Sequence, residues 1–172
     1  QGPLDAWASA YVGQVRDYIM FSFKPGMNPL HTISEVDNID ARIMGGELGA
    51  AYQITSNIKG DMSLAYAYGK NSSDGRAMPQ IPPLEARFGL SYEQGDWSSS
   101  ALWRVVAAQN RIDDRERGRG NVVGKDFGPS SGFGVFSLNS AYRLNQNWKL
   151  SAGVDNLFDK NYSEHLNLAG NA

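Results

Sequence analysis

The sequence predicts an all-β fold, an antiparallel sheet of about seven strands forming one segment of a transmembrane β-barrel, and three observations carry that prediction. Apolar and polar residues alternate with period two along most of the chain, a spacing no helix presents. The connections between alternating runs are long and short by turns. Aromatic residues gather near the ends of the runs, where amphipathic rings are stabilised between headgroups and hydrocarbon.

The first run, residues 4–23, is the least regular. Trp7, Tyr11, Val15, Ile19, Phe21 and Phe23 share a parity with Asp17, so a bulge near Gly13 or Asp17 is expected. In the second run Met44, Gly46, Leu48, Ala50, Tyr52 and Ile54 oppose Gly45, Glu47, Gly49, Ala51, Gln53 and Thr55. The third sets Ile58, Gly60, Met62, Leu64, Tyr66 and Tyr68 against Lys59, Asp61, Ser63, Ala65, Ala67 and Gly69. In the fourth, Leu84, Ala86, Phe88, Leu90 and Tyr92 alternate with Glu85, Arg87, Gly89, Ser91 and Glu93. Trp97, Ser99, Ala101, Trp103, Val105 and Ala107 make the fifth apolar set, and Phe136, Leu138, Ser140, Tyr142 and Leu144 the sixth. Trp148, Leu150, Ala152, Val154 and Phe158 close the series, with Asn156 as its polar member. The cleanest cores, 44–54 and 58–68, have the length a tilted strand needs to cross a bilayer, about 9 to 11 residues.

Long connections over 24–38, 72–83 and 113–132 alternate with short ones at Ser56-Asn57, Gly95-Asp96 and Asn145-Gln146-Asn147. A barrel whose two rims face different compartments has this asymmetry; a soluble sandwich has no reason for it. Tyr52, Tyr92, Trp97, Tyr142 and Trp148, together with Trp7, are expected to ring the short-turn rim. Phe21, Phe23, Tyr66, Tyr68, Phe136 and Phe158 lie toward the other. Glu47, Lys59, Asp61, Glu85, Arg87, Glu93, Arg104, Lys149 and Asp155 all fall opposite the apolar residues, as an enclosed polar lumen requires, whereas Arg42 shares the apolar parity close to a long loop. Seven antiparallel strands cannot close a bacterial barrel, which uses an even number, so at least one strand is expected to be missing beyond Ala172, and more upstream.

Composition narrows the function. Of 172 residues, 16 are Lys or Arg and 18 Asp or Glu, and this balance excludes the basic footprint of a nucleic-acid partner. Zero Cys excludes disulfides and thiolate chemistry. Mean hydropathy is −0.42, and no apolar run approaches the roughly 18 residues of a membrane helix. The chain opens on Gln1 without a Met and reads as a mature or excised segment, one unit over residues 1–172. No catalytic constellation is present, neither G-x-S-x-G nor His-Glu-x-x-His nor a phosphate-cradling loop, so the chain reads as no enzyme.

The stretch GVDNLFDKNY, residues 153–162, preceded by Trp148-Lys149-Leu150, resembles the signature near the carboxyl end of TonB-dependent outer-membrane receptors. The tail EHLNLAGNA, residues 164–172, and the Arg16-Asp17-Tyr18-Ile19 of the first run are similar to the copper-type members. The resemblance implies the last part of a barrel of about 22 strands, short of its closing strand. It also implies active import into the periplasm, driven through TonB by way of a plug domain and an amino-terminal box, neither of which this segment carries. Outer-membrane lipid and lipopolysaccharide, the plug and the remaining strands would then be its partners. Copper is the expected substrate of the full receptor, with no cofactor in this segment. A siderophore or cobalamin receptor is the alternative cargo reading, and a soluble all-β binding module the alternative of another class.

Thioether and imidazole suit copper. Met27 and His31, in one expected external loop, are the candidate metal ligands, with Met78 and His165 in two others; an external Met or His is more often a plain loop residue. The run Arg111, Asp113, Asp114, Arg115, Glu116, Arg117 and Arg119 mixes signs closely. A solvated, salt-bridged loop is the simpler reading, and a contact to lipopolysaccharide phosphate or an anionic substrate the sharper one.

Overall fold

Period-two alternation settles into one antiparallel meander. The computed structural model describes residues 3–25, 32–113 and 128–167, without the side chains of 21–25 and 32–35. Its strands are β1 (Leu4–Pro25), β2 (Thr32–Gln53), β3 (Ile58–Asn71), β4 (Glu85–Gln94), β5 (Trp97–Val106), β6 (Phe133–Arg143) and β7 (Lys149–Val154), paired strictly in chain order. Register then decides whether the apolar sets coincide, because a slip of one residue would send a whole set to the other face. They coincide. Leu48 stands opposite Leu64, Met62 opposite Phe88, Phe88 opposite Trp103, Trp103 opposite Phe136 and Leu138 opposite Val154. The result is one apolar face running unbroken from β2 to β7, with Glu47, Glu85, Arg87, Arg104 and Asn139 on the reverse.

Nothing among the described residues covers the apolar face: Leu48, Phe88, Leu90, Trp103, Leu138 and Leu150 are between 40% and 66% exposed. Cross-strand aromatic pairs knit it, Phe88 with Trp103 at 5.7 Å between centroids and Trp97 with Tyr142 at 5.9 Å. Two serine hydroxyls on this face are satisfied within the sheet. Ser99 Oγ lies 2.9 Å from Ser140 Oγ across the β5–β6 pair, and Trp97 Nε1 donates to Ser99 Oγ at 2.8 Å. An unpaired hydroxyl facing hydrocarbon would cost about 1–3 kcal/mol, so this small network is what makes serine tolerable there. At one rim the turns are tight. Gly95, at φ 58°, occupies the first position of the two-residue β4–β5 turn, where a left-handed residue matches the strand twist.

Strand β1 departs from the simple reading, and the departure has a local cause. Pairing with β2 shifts between Val15 and Tyr18, and Asp17 sits at φ 53°, so the expected bulge lies at Arg16-Asp17 rather than at Gly13. It reverses the parity of everything before it. Trp7 pairs with Gly49 and Tyr11 with Gly45, both on the polar face, so Trp7 does not join the aromatic ring of the short-turn rim. The two glycines make room. A Cβ on Gly49 would stand 2.6 Å from the Trp7 indole nitrogen, and one on Gly45 would stand 2.6 Å from the Tyr11 ring. Aromatic rings thus lie over bare backbone where the strand has no side chains of its own.

Two further boundaries move. Strand β2 begins at Thr32 and pairs with β1 out to Pro25, so the expected loop over 24–38 is largely a paired extension, with both strands 22 residues long. The polar composition of Ser34, Glu35, Asp37 and Asn38 hid a strand there that extends beyond the membrane-length core. Strand β7 ends at Val154, and Phe158 lies past it, its ring 5.9 Å from Phe136.

At the long-loop end the polar face carries an apolar cluster. The chain turns at Asn71, which is 1% exposed, and Met78 and Ile81 fold back against Met20, Ile39 and Ala41. Ser72 N donates to Asp40 O at 2.6 Å and Asp40 N to Ser73 Oγ at 2.9 Å, tying this turn to β2. Gln109 and Ser130 exchange backbone hydrogen bonds of 3.0 Å, closing the stem of the connection between β5 and β6.

Candidate functional site

Between that cluster and the mid-sheet, the polar face concentrates its charge. Register sets Arg87 directly opposite Arg104, a like-charge pairing that is unfavourable on its own. Glu85 resolves it. Being two residues before Arg87 it shares the face, and its carboxylate accepts Arg87 Nε at 2.6 Å and Arg104 Nη2 at 2.7 Å. A second carboxylate arrives from far along the chain: Glu164 accepts Arg104 Nη1 at 2.5 Å and Nη2 at 3.1 Å, a fork that uses the planar geometry of guanidinium. The aliphatic and π surfaces close over it, with Arg104 Cζ 5.3 Å from the Phe133 ring.

Glu164 reaches Arg104 because the chain doubles back after β7. Asn156 and Asp159 stand at φ 52° and 48°, left-handed positions that Asn and Asp accept better than other side-chain-bearing residues. The Asn156 side chain then clamps Lys160, accepting its N–H at 2.9 Å and donating to its carbonyl at 3.0 Å. The strap that follows lies on the polar face. Tyr162 stacks on Phe133 with centroids 4.3 Å apart, and His165 Nδ1 is 3.1 Å from Ser130 Oγ. Together with Tyr11, Glu47 and Pro82, the residues Glu85, Arg104 and Glu164 line a cavity of about 490 Å³. Arg104 is paired with both Glu85 and Glu164 in this recess, and most of the rest of its lining is apolar. No group of three or more His, Cys, Asp or Glu positioned to hold a metal ion occurs among the described residues.

The residues singled out for metal binding do not converge here. Met27 and His31 lie outside the described residues. Met78, expected in an external loop, is buried at 4% exposure in the apolar cluster, and His165 is engaged with Ser130. Arg111 is likewise no free loop charge: its guanidinium covers the Tyr68 ring at 3.8 Å and donates to Gly69 O at 3.2 Å, while Asp113 is buried. Residues 114–119 of that run lie outside the described residues. Glu85, Arg87 and Arg104 were legible as polar-face charges. Their link to Glu164, 60 residues from Arg104, had no local signal beyond its place in the tail motif.

Among solved structures, the chain is similar to "Copper transporter OprC", with 68% identity and a TM-score of 0.87 over 99% of this chain and 26% of that one. It also superposes on the FrpB iron transporter from Neisseria meningitidis (F3-3 variant), at 18% identity and TM-score 0.71, over 96% of this chain and 26% of the other. The ferric citrate transporter FecA in its unliganded form gives 21% identity and TM-score 0.68, over 94% of this chain and 25% of that one. The last two likenesses are of fold. The chain thus spans about a quarter of the length of these transporters. No curated protein matches it. The family model for TonB dependent receptor-like, beta-barrel proteins covers residues 1–157, and the chain belongs to that family as a segment of the barrel.

Proposed function

We propose that the intact receptor containing this segment sits in the bacterial outer membrane and imports copper into the periplasm with energy delivered through TonB. The observation that carries the copper reading is 68% identity with a copper transporter over 99% of the segment, well above the 18% and 21% shared with the iron transporters. Within the receptor, residues 1–172 act as one wall segment of a barrel of about 22 strands. Its lipid face anchors, and its lumen face, with the Arg104 cluster near the wide rim, meets a plug contributed by another part of the protein. Met27 and His31 offer a thioether and an imidazole, donors that suit copper, as secondary ligands at most.

The test is copper accumulation, measured by mass spectrometry of washed cells expressing the full-length receptor. Copper is expected to accumulate above receptor-free cells, and to fall to their level when the TonB-contacting segment is deleted or the proton-motive force is collapsed. Accumulation of ferric chelate or cobalamin without copper would overturn the cargo, and copper entry that survives both treatments would overturn the energy coupling.

A further inference from the structure

One buried side-chain amide joins parts of the long-loop end that are far apart in sequence. Gln109, 9% exposed, stands at the foot of the connection between β5 and β6. Its Nε2 donates to Ile81 O at 3.0 Å and to Pro82 O at 3.5 Å, and its Oε1 accepts the Arg111 N–H at 3.1 Å. The Ile81 side is a firm anchor, because Met78 and Ile81 are seated on Met20, Ile39 and Ala41. The Gln109 backbone is bonded to Ser130 in both directions, and Ser130 passes the linkage on: its Oγ meets His165 Nδ1 of the strap. The residue beside His165 is Glu164, which forks onto Arg104. A contiguous line of hydrogen bonds, ending in an ion pair, thus runs from the 76–84 segment through the stem and the strap to the charge cluster of the polar face.

The parts on this line have little else to order them. Past the last β5–β6 pair, Val106 with Phe133, the two limbs of the stem share one bridged pair among the described residues, Gln109 with Ser130. The strap lies outside the sheet ladder; its own bonds are local, Asn167 N to Glu164 O at 3.1 Å and the Asn156 clamp on Lys160, with Tyr162 stacked on Phe133. Segments with so few backbone bonds open at low free energy, and do so together when each supplies the other's contacts. Such dependence is a coupling, and it acts equally in both directions.

We propose that the strap and the β5–β6 stem are one cooperative unit latched by Glu164 on Arg104, so that the pairing of Arg104 on the lumen face sets the order of the stem at the outer rim. The wall geometry carries this, whatever the cargo. Glu85 makes the latch separable from the sheet beneath it. With Glu164 released, Arg104 keeps Glu85, and the opposed Arg87 and Arg104 stay bridged.

The experiment is amide hydrogen–deuterium exchange on the full-length receptor in detergent, resolved by mass spectrometry. Parent, Glu164→Gln, Tyr162→Leu and Gln109→Ala are compared, each shown to be folded by heat-modifiable migration on gels. Glu164→Gln should speed exchange at Asn167 in the strap and, by about fivefold, at Gln109 and Ser130 in the stem. Tyr162→Leu, which leaves every hydrogen bond of the line in place, should also speed Gln109 and Ser130. Gln109→Ala should speed Asn167 by a similar factor, although the Gln109 side chain bonds only to Ile81, Pro82 and Arg111. The Ile54 and Leu144 amides at the short-turn rim, bonded to Ile58 O and Trp148 O, should keep the parent rate in all variants. A response confined to the strap in Glu164→Gln and Tyr162→Leu, and to the stem in Gln109→Ala, would overturn the coupling. Equal acceleration at Ile54 and Leu144 would overturn it too, because the whole barrel would then be responding.

Discussion

Replacing Leu48 by Arg in the intact receptor is expected to destabilise the folded barrel by about 2–4 kcal/mol in lipid vesicles. Leu48 lies midway along the outward set between Tyr52 and Met44, faces Leu64 across the β2–β3 pair, and is 41% exposed with no protein cover. At that depth a guanidinium must leave water or drag water and headgroups inward, and the cost peaks at the bilayer midplane. The matched control is Ala65→Arg, of opposite parity, which stands between Glu47 and Glu85 on the lumen face. It should cost less than about 1 kcal/mol, because the new charge has water and carboxylates within reach. Reversible denaturant titration of both variants in vesicles reads the difference. Similar costs for the two would contradict the assignment of faces.

The second large effect is expected at the bridging carboxylate. Glu85→Gln leaves Arg87 and Arg104 opposed with no anion between them, and should cost about 1–2 kcal/mol; the side chains of Glu85 and Arg104 are only 21% and 24% exposed, so solvent screens them partly. Arg104→Gln should cost a comparable amount, because it leaves both Glu85 and Glu164 without their shared cation. The double variant Glu85→Gln/Arg104→Gln removes the mismatch from both sides and should recover at least about 1 kcal/mol relative to the sum of the single changes. Strict additivity in the cycle would mean that Glu85 and Arg104 do not interact across the β4–β5 pair.

Most of the sheet was legible because lipid and lumen impose opposite chemistries on alternate residues. From Met44 to Val154 every outward position that the observed register pairs across neighbouring strands meets a residue of the same face. The failures are of three physical kinds. One extra residue at Arg16-Asp17 inverts a parity, so Trp7 and Tyr11 have the right residue type for a lipid-facing ring but cover Gly49 and Gly45 in the lumen. Outside the membrane-length core, both faces of the β1–β2 hairpin carry polar residues, alternation fades, and paired strand reads as loop. Long-range closure leaves no periodic trace: Glu164 on Arg104, Tyr162 on Phe133 and Met78 beneath Ile39 depend on how the strap and the 76–84 segment fold back. Candidate ligands suffered most, since residue type alone cannot separate a thioether buried in an apolar cluster, as at Met78, from one presented to solvent.

The outward, even-numbered face of β2 is expected to meet hydrocarbon, and the odd-numbered face an aqueous interior. The segment has no Cys, so single cysteines introduced at successive positions from Met44 to Tyr52 meet no competing thiol within it, and any cysteine elsewhere in the full-length receptor is first replaced by serine. Spin labels there, exposed in turn to oxygen and to a water-soluble nickel chelate, should show accessibility alternating residue by residue. Oxygen should dominate at Gly46, Leu48 and Ala50, with the chelate excluded from all three. Uniform access of the chelate to Leu48 and its neighbours on both sides would contradict a membrane-facing wall.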